Sequence, residues 1–185
     1  LKDLNIPSNK LLFIYGGNLG RPQGVDFLME VIVANEKRND TYLVIVGNGT
    51  EYGRMKQFFY SNALCNSCLI SSLPKSEYDK LVKSCDIGLV FLDKCFTIPN
   101  YPSRLLSYME NKMPVLFATD VNTDIGRIAE INNYGLWTES GNLDTFMEMI
   151  ELMATNRKRI KEMGENGYAH LSANYTVSKG YQIIM

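Results

Sequence analysis

Leu11-Leu12-Phe13-Ile14-Tyr15-Gly16-Gly17-Asn18-Leu19-Gly20-Arg21-Pro22-Gln23-Gly24-Val25-Asp26-Phe27-Leu28-Met29-Glu30-Val31-Ile32 passes from a short apolar run, through a glycine-rich loop, into a helical repeat. The run is apolar on both faces, as a strand covered by helices on both sides must be. Pro22 is placed for a helix start. Phe27, Leu28, Val31 and Ile32 then recur at helical spacing. The same unit repeats along the chain. Tyr42–Val46 ends at Gly47-Asn48-Gly49, Cys68–Ile70 at Ser71-Ser72, and Ile87–Leu92 in a long loop. Pro114–Ala118 ends at Thr119-Asp120 and Tyr134–Trp137 at Thr138-Glu139. Helical patterns lie between them: Tyr52, Met55, Phe58 and Phe59; Tyr78, Leu81 and Val82 behind Ser76 as N-cap; Leu105, Leu106 and Met109; Ile125, Ile128 and Ile131; and Leu143 to Leu152.

About six strands alternating with helices predict an α/β fold with a doubly wound, Rossmann-like parallel sheet. The right-handed crossover favours the order 3-2-1-4-5-6. Ligands bind such sheets beyond the carboxyl ends of the strands, where the order reverses. Here that point lies between strands one and four, so the Gly16–Gly24 loop should meet the loop from Asp93 to Pro102.

The 185 residues suit one domain, 1–185, with 156–185 as a C-terminal helical segment; the absent initiator methionine reads as a fragment of a longer protein. Hydrophobic residues at 45% against 21% charged exclude disorder, and a net charge of -1 gives no broad footprint for nucleic acid. No apolar run approaches the ~20 residues that span a bilayer, and none reads as a signal peptide. Cys65, Cys68, Cys85 and Cys95 hold one lone CxxC without the second pair of a structural zinc site. Reduced thiols, a cytoplasmic location and no metal are expected.

Any anion must therefore be held locally. Gly16-Gly17 permits a sharp turn and close approach to the backbone. It is neither GxGxxG nor a P-loop. Arg21 could offer a fork of donors to phosphate. Pro102-Ser103-Arg104-Leu105 should open a helix whose free N–H groups and dipole attract phosphate, with the Arg104 charge beside them. Two such places predict a diphosphate. Ser72-Leu73 could offer backbone groups to a base. The one histidine, His170, falls in the terminal helix, remote from the switch point. Asp93, Asp120 and Glu110 are the nearest acid–base candidates. The site is better equipped to hold a charged leaving group than to move protons.

These residues carry a family resemblance. From about Leu11 to Tyr175 the chain resembles the C-terminal half of a GT-B glycosyltransferase, specifically retaining family 4. The similarity rests on the glycine-rich segment after strand one, Gly47-Asn48-Gly49 and Cys85-Asp86-Ile87. It continues through Pro102-Ser103-Arg104-Leu105, Ser107-Tyr108-Met109 and Lys112-Met113-Pro114-Val115. The resemblance implies a donor domain for a nucleotide-diphosphate sugar, with a UDP-sugar favoured. Gly17, Asn18, Arg21, Gln23, Ser103, Arg104 and Leu105 would surround the diphosphate. Ser72, Leu73, Ser107 and Glu110 would meet base and ribose, and Ile98, Pro99 and Asn100 the sugar. It also implies a separate N-terminal domain for a glycan or lipid-linked acceptor, surface-polysaccharide or capsule synthesis in a bacterium, and peripheral association of the full-length enzyme with the inner membrane face.

The chain departs from the family where Asn18 and Gln23 replace the usual Arg and Lys, and where Pro99 and Ser107 replace two glutamates eight apart. Arg21 and Arg104 would restore the positive charge, and Glu110 a carboxylate. Two rival classes stay open: a GT-B-fold nucleotide-sugar epimerase and a non-enzymatic flavodoxin-like or receiver-like binding module. An epimerase would want acidic and histidine residues near the donor. A receiver would want acids at the strand ends, where Tyr15, Gly47 and Ser71 stand.

Overall fold

The computed structural model describes residues 5–95 and 101–175. Strand β1 (Leu11–Asn18) runs parallel to β2 (Thr41–Asn48) over its whole length, from Leu11 opposite Thr41 to Asn18 opposite Asn48. The other strands are β3 (Ser67–Ile70), β4 (Ile87–Phe91), β5 (Val115–Thr119) and β6 (Gly135–Glu139). All pair in parallel in the order β3-β2-β1-β4-β5-β6, the order expected from the alternation. The helices are α1 (Val25–Asn35), α2 (Tyr52–Ser61), α3 (Lys75–Val82), α4 (Arg104–Glu110), α5 (Ile125–Ile131), α6 (Leu143–Thr155) and α7 (Arg157–Asn174). A 3-10 turn at Arg21–Gln23, with Pro22 in its first turn, precedes α1.

Alternation along the central strands divides the core. Phe13, Tyr15, Leu43, Ile45, Leu89 and Phe91 face one way, onto Leu28, Val31 and Ile32 of α1 and Phe146 and Ile150 of α6. Leu12, Ile14, Val44 and Val90 face the other way, onto Leu81 and Val82 of α3, Leu105 and Tyr108 of α4 and Ile125 of α5. Each fully buried Leu, Ile or Phe contributes roughly 1.5–3 kcal/mol, so the two faces rather than helix propensity hold the elements in place. None of the described helices is long and apolar enough to cross a membrane.

Several local expectations are corrected. β1 continues through Gly16 and Gly17, because β2 keeps pairing with it as far as Asn48. Ser76 lies inside α3, and Pro74 precedes the first turn; its fixed φ suits that boundary. Ile131 is 83% exposed, while α5 buries Ile125, Gly126 and Ala129; its last residue turns away from the core. Only Met55 of α2 is fully buried, with Phe58 and Phe59 half-buried against the same core.

Asp120 directly follows β5 and is buried. Its carboxylate accepts from the backbone amides of Asn122 (2.8 Å) and Thr123 (2.9 Å) and from the Thr123 hydroxyl. Burial alone would raise its pKa, but these donors outweigh burial and hold it below the ordinary carboxylate value. A depressed folded pKa stabilises the fold above the unfolded value, ~3.9, and that contribution vanishes as pH falls through the folded value. Asp120→Asn should therefore cost about 2 kcal/mol at pH 7. Urea midpoints of the two proteins should converge below about pH 4. A gap that stays constant down to pH 2 would contradict this role.

Candidate functional site

The sheet opens between β1 and β4. These strands pair only at Phe13 with Ile87 and Ile14 with Gly88. Beyond that point β1 stays with β2 and β4 stays with β5. Tyr108, fully buried on α4, fills the fork. Its hydroxyl accepts from the Gly16 amide at 3.0 Å and donates to the Ile14 carbonyl at 3.1 Å. The phenol thus serves β1 where a neighbouring strand would. Gly88 makes room for it, since a Cβ there would stand 2.3 Å from the Tyr108 ring.

Above the fork lies a cleft of about 720 Å³ at the carboxyl ends of β1 and β2. Its walls join distant parts of the chain. Gly17, Asn18 and Gln23 come from the β1 end and the turn after it, and Ser72 and Leu73 from the loop after β3. Ser103, Arg104 and Ser107 come from α4 and its entry. These eight residues from the sequence reading are brought together. Arg21 instead lines a separate hollow of about 380 Å³ with Asp26, Glu51, Arg54 and Asp93. Pro22 tightens the intervening turn, and Arg21 stands on its far side. Leu105 is buried in the core, and Glu110 is exposed without lining the cleft. Ile98, Pro99 and Asn100 lie outside the described residues.

Arg104 dominates the electrostatics. Its Cζ sits 4.4 Å from the centre of the Tyr15 ring. Its Nη1 is buried and, among the described residues, has no hydrogen-bond partner. Gly17, at φ +133, lies directly beneath; a Cβ there would reach the guanidinium carbon at 3.2 Å. Neighbouring phenols do not balance the charge. Burial pushes the pKa of Tyr15, Tyr78 and Tyr108 up against the pull of Arg104, so all three stay neutral. The other cation in the wall, Lys75, is paired with Asp79 at 2.8 Å. A guanidinium with a shielded, unbonded N–H beside an open cleft is equipped to take an anion with its fork of donors.

Polar groups fill in around it. Asn18 Nδ2 donates to Gln23 Oε1 at 3.0 Å, so these two side chains brace each other. Ser103 makes no side-chain cap to α4, which leaves its exposed hydroxyl on the cleft wall. Acid–base groups are scarce. Asp120 is consumed by its local hydrogen bonds, and Asp93 accepts from the Cys95 amide beside the smaller hollow.

Sequence reasoning missed Lys75, Tyr78, Asp79 and Tyr101 as wall residues. For Lys75 the signal was positional, since Leu73-Pro74-Lys75 opens the helix just past the carboxyl end of β3. His170 is not among the residues that line the cleft, in keeping with its place in the terminal helix. The His170 ring stacks between Tyr134 (5.2 Å) and Tyr175 (6.0 Å), and Tyr175 packs at 5.4 Å on Tyr101, at the rim of the cleft. The four cysteines are free; burial pushes the Cys68 and Cys85 thiols up to about 11 and about 12.

The sequence profile described as "Glycosyl transferases group 1" matches residues 1–170. The putative colanic acid biosynthesis glycosyl transferase WcaI of Escherichia coli K12 is 27% identical over 132 residues, covering 69% of this chain and 31% of that protein. The chain spans about a third of the length of the curated relatives it matches. Among solved structures, a TarM variant from S. aureus in a complex that includes UDP superposes with a TM-score of 0.77 at 16% identity, covering 96% of this chain and 36% of TarM. The C-terminal domain of LpcC, a group 1 family glycosyl transferase from Francisella tularensis, superposes with a TM-score of 0.73 at 18% identity, covering 95% and 91%.

Proposed function

The chain belongs to the glycosyl transferases group 1, and from that membership we propose that residues 1–185 form the donor-binding domain of a retaining, family 4 GT-B enzyme. Its last described element is α7, Arg157–Asn174. The donor is a nucleotide-diphosphate sugar, with a UDP-sugar favoured, and the acceptor is a glycan or lipid-linked saccharide in surface-polysaccharide synthesis. The observation that carries this reading is the unpartnered Arg104 guanidinium in a cleft at the switch point. The UDP in the TarM structure and the colanic acid pathway in the name of WcaI support the finer assignments.

Arg104, Ser103 and the Gly17 backbone take the diphosphate, with Asn18 and Gln23 on its other side. Ser72 and Leu73 face the base, and Ser107 the ribose. The proposed site omits Arg21, Leu105 and Glu110, which do not line the cleft. As the bond from the anomeric carbon to the diphosphate breaks, negative charge grows on the departing oxygen. A guanidinium already seated and desolvated stabilises that charge without reorganising. The reading requires no metal. The acceptor hydroxyl attacks from a domain outside this chain, so the domain binds donor without turnover of its own.

Calorimetric titration with UDP, GDP, ADP and CMP tests the reading. One diphosphate, UDP, should bind best and CMP weakest. A folded domain that binds no diphosphate, or that prefers CMP, would overturn it.

A further inference from the structure

Arg104 is held by an aromatic surface instead of a carboxylate. Tyr15 is fully buried, with the guanidinium carbon 4.4 Å from its ring centre. Its hydroxyl donates to the Asn18 carbonyl at 2.7 Å, which fixes how the ring is turned. Phe91 meets the ring edge-on at 6.3 Å and is itself packed against Phe27 at 5.7 Å and Phe146 at 5.0 Å. This row of rings ties the cleft floor to the core, so Tyr15 has little freedom to move.

The choice of surface matters. A carboxylate here would grip the guanidinium strongly and cancel the charge that an anion needs. A ring face attracts the cation through its quadrupole and leaves the net charge whole. Burial keeps the Tyr15 phenol protonated, so no phenolate replaces that face.

We propose that Tyr15 is a positioning residue for Arg104, a neutral ring face that seats the guanidinium over Gly17 with its charge free for the phosphates of the donor. The proposal rests on the donor-binding reading of the cleft. Asn18 joins the two parts, because its carbonyl anchors the Tyr15 hydroxyl while its side chain lines the cleft.

Two readouts separate this role from general support of the fold. The first needs no ligand. In the free protein the ring current of Tyr15 should displace the Arg104 side-chain N–H resonances in a proton–nitrogen correlation spectrum. Tyr15→Phe should keep that displacement and Tyr15→Leu should abolish it. An Arg104 resonance at its ordinary position in the unaltered protein would overturn the proposal.

The second readout is UDP affinity. Tyr15→Phe should bind within about twofold of the unaltered protein, and Tyr15→Leu about tenfold more weakly. In an Arg104→Ala background, Tyr15→Leu should add no further loss. Circular dichroism melts establish that each variant is folded, and Tyr15→Met replaces Tyr15→Leu if the latter does not fold. Equal losses from the Phe and Leu variants would assign the effect to the hydroxyl and overturn the proposal. So would the same loss with and without Arg104. If the unaltered protein bound no diphosphate, the donor-binding reading would fall, and the resonance measurement would still decide whether Tyr15 seats Arg104.

Discussion

Arg104→Ala should weaken nucleoside diphosphate binding about a hundredfold, since it removes a charge-assisted fork of hydrogen bonds. The fold should not suffer. In the free protein Arg104 is a cation with a buried, unbonded Nη1 and no carboxylate partner among the described residues. Its removal therefore strands no opposite charge in the core. Arg104→Met, which keeps much of the apolar stem, should therefore melt at the same temperature as the unaltered protein or higher while losing binding. Arg104→Lys should fall between them, because an ammonium keeps the charge and loses the planar fork. Titration and thermal melting of the three variants check this together. Affinity within threefold of the unaltered protein for Arg104→Ala would contradict it.

Tyr108→Phe should cost about 2 kcal/mol of stability, large for the loss of one oxygen atom. The hydroxyl accepts from the Gly16 amide and donates to the Ile14 carbonyl, both within the sheet. No strand stands ready to replace it, because β4 has already diverged from β1. The amide is then left buried without its partner, and that desolvation sets the size of the effect. A lower urea midpoint with an unchanged slope would report lost stability without a change in the surface exposed on unfolding. Because Gly16 leads directly to Gly17 under Arg104, a modest loss of diphosphate affinity should accompany it. An unchanged midpoint would mean that the fork tolerates an empty position.

The strands were legible because central parallel strands are apolar on both faces, and runs such as Leu43-Val44-Ile45-Val46 admit little else. Their order followed from the handedness of the crossovers, and with it the meeting of the β1 and α4 segments. The two segments carrying Gly17 and Arg104 could thus be assigned to one cleft, and the family resemblance added Asn18 and Gln23 to it. Details set by distant partners were hidden. Tyr108 reads as one more apolar residue on a helix face, and its polar duty exists only because β1 and β4 part at Gly88. Tyr78 belonged to a helical stripe with Leu81 and Val82, and nothing local marked it as a cleft wall. Arg21 is near the right loop in sequence but on the wrong side of a turn that only the 3-10 geometry defines. Tyr175 packs between His170 and Tyr101, a link between α7 and the entry to α4 that periodicity cannot encode.

A crystal structure of the domain with UDP tests the central claim most directly. The diphosphate should lie over Gly17 with its oxygens within hydrogen-bond distance of the Arg104 guanidinium, and the uracil should point towards Ser72 and Leu73. A diphosphate seated instead in the smaller hollow beside Arg21 and Arg54, with Arg104 still unbonded, would contradict the account.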